Sequence, residues 1–159
     1  MGQLIWIIPA VVAVLTLLTM AVWIQGKASS RERESQRLIH ARSTFYRRRE
    51  WLEARFVTLA SQSGQPRGLS WQQCDFADEV TFARDRETSL PRAFVAVTIG
   101  FEAIEGGGME EVEAVSNLRA ATAVFLYDGN QWTTQGRTIF NLNPVEAVEH
   151  FQNELELVE

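Results

Sequence analysis

The sequence predicts an α+β domain carried behind an apolar N-terminal helix, and three observations lead there. Residues 4–24 hold no charged side chain. Residues from about 29 to 63 contain no Pro or Gly and place apolar side chains at helical spacing. After Gly68 the spacing changes to two, and β-branched and aromatic residues become frequent. The expected order is a transmembrane helix, a long helix, a curved antiparallel sheet of about five strands and a short C-terminal helix. Three segments follow: 1–26 as the anchor, 27–63 as a basic neck and amphipathic helix, and 64–159 as a small α+β domain packed with the second half of that helix.

The anchor comes first. Leu4 to Ile24 is a run of twenty-one residues without Asp, Glu, Lys, Arg or His. At about 1.5 Å rise per residue, it covers the roughly 30 Å hydrocarbon core of a bilayer. Trp6 and Trp23 stand near its ends, where indole rings favour the headgroup region, and Pro9 falls in its first turns. A secretory signal would need a basic n-region, a shorter apolar core and a small-x-small cleavage site. This chain opens Met-Gly-Gln, and its one candidate, Gly26-Lys27-Ala28, has a lysine between the small residues. N-myristoylation asks for Ser or Thr where Trp6 stands. Positive charge resists translocation, and Lys27, Arg31, Arg33 and Arg37 all follow the run. The expected topology is therefore single-pass, with the N-terminus outside and residues 27–159 in the cytoplasm. The same four side chains are expected to contact the membrane surface, where a basic residue near anionic headgroups contributes about 1 kcal/mol.

Charge divides the remainder. Lys27 to Arg49 carries eight basic residues against two acidic, net +6, whereas Glu50 to the end carries seven against eighteen, net −11, within an overall −5. A basic neck and an acidic body are separate features. The single cysteine, Cys74, has no second thiol with which to form an intramolecular disulfide or a CxxC pair.

The long helix is expected to stop at Ser63-Gly64-Gln65-Pro66. At about 100° per residue, Leu38, Ile39, Ala41, Phe45, Tyr46, Leu52, Phe56, Val57 and Leu59 share one broad face. Leu38, Phe45, Leu52 and Leu59 recur every seven residues, yet the accompanying positions are Ala41, Arg48 and Arg55. Such a seam is too polar for a continuous coiled coil, so the helix is expected against a sheet. Arg42, Arg49 and Glu53 project inside the apolar arc. They are read as locally paired or snorkelling side chains, and alternatively as contacts with a protein partner.

Leu69 to Phe76 reads as a first strand. Val80 to Arg84 and Arg92 to Ile104 read as a hairpin around Asp85 to Pro91. Both faces of its second arm are apolar at the centre, which suggests a sheet covered on both sides or curved around a pocket. Arg119 to Tyr127 and Gln131 to Phe140 form a second hairpin, because Asp128-Gly129 supplies the positive φ angles of a tight turn. Asn143-Pro144-Val145-Glu146 then reads as N-cap, proline at the first helical position and a capping glutamate. A helix is expected there with Val148, Phe151, Leu155 and Val158 along one side.

This order is similar, at the level of architecture, to the cystatin and nuclear-transport-factor-like folds. The resemblance covers element order alone, with no sequence motif tying the chain to a family. It implies a pocket inside the curved sheet, which Trp71, Phe82, Phe94, Phe101, Phe125 and Trp132 would line as an alternative to filling a core.

Few residues point to chemistry. Glu105-Gly106-Gly107-Gly108-Met109-Glu110-Glu111 lacks the GK[ST] of a phosphate loop and sets acids where phosphate would sit, so it reads as a loop between strands. Glu105, Glu110, Glu111 and Glu113 match no EF-hand spacing. Asp75, Asp78 and Glu79 beside Cys74 read as an acidic turn without a partner to tune an acid or a base. His40 and His150 fall on different helices and outside any HExxH spacing. The stretch RSTFYRRR, Arg42 to Arg49, interleaves arginine with aromatics as a nucleic-acid surface does. In an acidic chain beside a membrane span, its charge is better explained by topology and lipid contact. The expectation is a non-enzymatic protein-interaction domain or accessory subunit of a membrane complex. Its partners would be the bilayer and a protein, with no nucleic acid, no metal and no cofactor. The alternative is a membrane-tethered small-molecule-binding or catalytic pocket domain.

Overall fold

The computed structural model describes residues 4–63 and 68–158, apart from most side chains before Ser35 and those of Ser63, Ala114 and Ser116. The chain comprises two compact units, Met1–His40 and Ala41–Glu159. Helix α1 runs Leu4–Ser63 and ends where the Ser-Gly-Gln-Pro stop was expected. Among the described residues no helix is long and apolar enough to cross a membrane. Most side chains of the expected span, Leu4 to Ile24, lie outside the described residues, as do those of Lys27, Arg31 and Arg33.

In the second unit, α1 presents Ala41, Phe45, Leu52, Phe56 and Ala60 to an antiparallel sheet, each of them essentially inaccessible to solvent. Helix on sheet, rather than helix on helix, is the packing found. Phe45 lies at the centre, edge-on to Trp132 at 5.0 Å, Phe125 at 5.4 Å and Phe82 at 5.8 Å between ring centroids. The Trp132 indole Nε1 also donates to the Ala41 carbonyl at 2.7 Å, which satisfies its buried polar atom. Tyr46, expected on the buried face, is half-exposed.

The sheet has six strands rather than about five: β1 Leu69–Asp85, β2 Pro91–Ala103, β3 Arg119–Tyr127, β4 Trp132–Thr133, β5 Thr138–Phe140 and β6 Leu155–Leu157. Their order is β4-β3-β2-β1-β6, with β5 also paired to β3. Three local expectations are corrected. Leu69 to Phe76 and Val80 to Arg84 are one strand, not two. From Phe76↔Val97 to Val80↔Val95, β1 advances four residues while β2 advances two, so Ala77, Asp78 and Glu79 form a bulge where a turn was expected. A second, smaller bulge lies between Trp71 and Gln73.

The arm expected over Gln131 to Phe140 is interrupted between β4 and β5. There Gly136 has φ +73° and passes so close to α1 that an added Cβ would lie 2.5 Å from the Ala60 amide nitrogen. A regular strand does not supply that conformation. The second turn falls where expected, but of Asp128-Gly129 only Gly129 has a positive φ, +97°; Asp128 is the first residue of the turn, and its carboxylate accepts from the Asn130 and Gln131 amides at 2.9 and 2.8 Å.

The last helix is the third correction. α2 spans only Pro144–His150, with the predicted capping box in place: Asn143 Oδ1 accepts from the Glu146 amide, and Glu146 Oε2 from the Asn143 amide, both at 2.9 Å. Leu155 does not continue that helix. It enters a second core with Ala83, Phe94, Val124, Ala147 and Val148 on the sheet face away from α1, and β6 pairs with Ala83–Asp85. Burying Leu155 and completing a ladder outweighs extending a short helix.

Candidate protein-interaction surfaces

The residues singled out in the helix lie on one of its flanks. Arg42, Arg49 and Glu53 face the outer edge of β1. The Arg49 guanidinium donates from Nη1 to the Asp78 carbonyl at 2.6 Å and from Nη2 to the Ala77 carbonyl. Its Nε donates to Glu53 Oε1 at 2.7 Å. These bonds satisfy two carbonyls that the bulge turns out of the ladder. Arg42 lies over the Phe82 ring at 5.1 Å and donates from Nη2 to the Val158 carbonyl at 2.8 Å, tying the C-terminal segment to the helix. The structure thus brings Arg42, Arg49 and Glu53 to one edge of the sheet, each with an intramolecular role. Arg37 is exposed.

The other flank was not singled out from the sequence. Arg47, Arg48, Trp51 and Arg55 are all exposed, and Trp51 remains 52% accessible although large and apolar. The Arg48 guanidinium stacks over its indole at 4.8 Å. A signal was present: Arg-Arg-Arg-Glu-Trp-Leu-Glu-Ala-Arg places arginines four before, three before and four after a tryptophan, all on one side of a helix. Trp and Arg are the residue types most enriched in binding hot spots.

On the sheet face away from α1, α2 covers Phe94 and Val124 but leaves a groove of about 630 Å³ beside it. Ala96, Thr98 and Ala120 form part of its lining, and Asp75, Asn143 and Glu146 stand along it. Thr98 is opposite Asp75 on one side and Ala120 on the other, so the three lie side by side across β1, β2 and β3. Asp75 Oδ2 accepts from Gln73 Nε2 at 2.6 Å, and the capping box holds Glu146. Each carboxylate thereby accepts one hydrogen bond, and the groove has an acidic margin.

The remaining candidates resolve differently. Of the six aromatics proposed for an internal pocket, Phe82, Phe125 and Trp132 are buried in the α1-side core with Trp71 and Phe101 packed against it, whereas Phe94 is in the second core. A smaller cavity of about 370 Å³ lies among Leu69, Phe101, Met109, Val112, Val115 and Phe140, beside the glycine-rich loop. In that loop the Glu110 carboxylate accepts from the Gly106 amide at 2.5 Å. Its own backbone N–H, with that of Gly106, lowers its pKa. The amides a phosphate would need are turned toward a carboxylate instead. Cys74 is half-buried, and burial, with the Asp75 charge beside it, pushes its thiol up to about 11, away from the thiolate a nucleophile requires. Among the described residues no three His, Cys, Asp or Glu side chains are placed to hold a metal ion.

Comparison with known proteins finds no matching family model, no matching curated protein and no matching solved structure.

Proposed function

We propose that this chain is a single-pass membrane protein whose Ala41–Glu159 unit acts in the cytoplasm as a protein-binding module, an accessory subunit or scaffold rather than an enzyme. The observation that carries this reading is Trp51, a large apolar side chain held half-exposed beneath Arg48 and flanked by Arg47 and Arg55. Burial of the indole against a partner would supply the apolar contact, and three guanidinium groups around it would select an acidic surface. Arg42, Arg49 and Glu53, committed to the β1 edge, set the helix in position, and the opposite flank makes the contact. The uncharged run Leu4 to Ile24 supplies the anchor, with Lys27, Arg31, Arg33 and Arg37 at the headgroups and the N-terminus outside.

The test is gentle cross-linking of the tagged full-length chain in native membranes, detergent extraction and identification of what accompanies it. A stoichiometric protein partner that is lost on Trp51→Ala is the expected result. Recovery of the chain alone across several cross-linkers overturns the binding-module reading. A carboxy-terminal reporter active only on the outer side of the membrane overturns the topology.

A further inference from the structure

We infer that one partner of this module is a second copy of the same chain, bound head to tail, with the Trp51 flank of α1 in one copy seated in the acidic-margined sheet groove of the next. The inference rests on the binding-module reading and names the partner of that surface. Two unlike surfaces of one unit complement each other. The donor surface is a convex helix flank with one protruding indole and the cations Arg47, Arg48 and Arg55. The acceptor surface is a concave groove of about 630 Å³, larger than an indole, lined by Ala96, Thr98 and Ala120 and bounded by the Asp75 and Glu146 carboxylates.

The carboxylates are already oriented by Gln73 and by the α2 capping box, so little side-chain ordering is left for binding to impose. The helix flank presents guanidinium groups, which pair with carboxylates through directed, two-pronged bonds. Each copy carries both surfaces, and the two are different. The contact is therefore heterologous, and it leaves a free flank at one end of a pair and a free groove at the other. Copies held in one membrane by parallel anchors meet at raised effective concentration, so a modest contact suffices.

Differently tagged full-length chains, each with Cys74→Ala, are co-expressed with Thr58→Cys in one and Ala120→Cys in the other. Thr58 is exposed about two turns along α1 from Trp51, on the same side of the helix, and Ala120 lines the groove. Under mild oxidation, a disulfide joining the two tags is expected in the mixed membrane and not in membranes holding either variant alone. Adding Trp51→Ala to the Thr58→Cys chain should reduce that product at least about tenfold. The charge swap is the second measurement: Arg55→Glu should lower the yield, and Asp75→Arg in the acceptor copy should restore it. Absence of the mixed disulfide with both variants folded overturns the inference, and so does an equally fast Thr58→Cys self-disulfide, which would mean a symmetric helix–helix contact. Should a different protein still co-purify through Trp51, the binding module stands and only the self-association falls.

Discussion

The two flanks of α1 between Arg42 and Arg55 carry the same residue type to opposite ends. On one side Arg42 and Arg49 reach backbone carbonyls at Val158, Ala77 and Asp78 and are part of the fold. On the other, Arg47, Arg48 and Arg55 are exposed around Trp51. The residues do not differ; what lies beside them does. One flank runs along a strand edge that a bulge has left with outward carbonyls, and a guanidinium is the side chain best suited to satisfy two of them at once. An arginine thus becomes structural or available according to the strand next to it, and not according to its own helix.

Substitutions separate these roles, beginning with the face between the flanks. Phe45→Ala removes the ring on which Phe82, Phe125 and Trp132 converge and should cost about 3–5 kcal/mol in denaturant unfolding. A smaller loss would mean that the helix contributes less to the core than its flanks do. Arg49→Ala strips the bulge of two hydrogen bonds and should cost about 1–3 kcal/mol. A value no larger than that of Arg48→Ala would erase the distinction between the flanks.

A third arginine adds a dependence on acid. Arg92 donates to the largely buried Asp85, whose carboxylate also accepts from the Thr88 and Glu87 amides. The Thr88 amide, first, then its hydroxyl and the Arg92 charge hold the Asp85 pKa below its ordinary value. A depressed carboxylate contributes stability that is full above the unfolded-state pKa, about 4, and lost as pH falls through the lower folded value. Wild type should therefore lose stability in that acid range relative to Asp85→Asn. Equal slopes in the two proteins would remove the assignment. The carbonyl bonds of Arg49 have no such acid dependence, because a carbonyl does not titrate there. Smallest of all, Trp51→Ala and Arg48→Ala should each change stability by less than about 0.5 kcal/mol while reducing association. A destabilisation near that of Arg49→Ala would show the exposed flank to be structural too.

Much of the fold is legible in the residues, for reasons of period and local chemistry. Ala41, Phe45, Leu52 and Phe56 share a face by helical geometry alone, and the stop at Ser63 and the Asn143 capping box are written in adjacent residues. Ala60, equally buried, is not legible in this way, because a methyl group signals nothing until a glycine passes within reach of it. The misread elements depend on distant partners. Ala77-Asp78-Glu79 has the composition of a turn and remains in a strand because β2 continues past it and Arg49 caps it. Leu155 to Leu157 has three residues, two of them exposed, and becomes a strand only because Ala83–Asp85 offers a free edge. At the surface, Arg42, Arg49 and Glu53 stand out in the sequence because they interrupt the apolar arc, whereas exposure of Trp51 is legible only once the sheet's position is known.

The two extra residues in β1 also govern what the sheet refuses. Before Phe82 the outer side of this strand has no strand neighbour among the described residues, and an open edge is a template on which any extended chain can build. Between its two bulges, β1 keeps register over only Gln73, Cys74, Asp75 and Phe76. A foreign strand laid along it falls out of step after those residues and meets Arg49 already occupying the next two carbonyls. Where copies are crowded, the domain is thereby guarded against fusing into continuous sheet, and encounters are left to side chains, where they are selective and reversible.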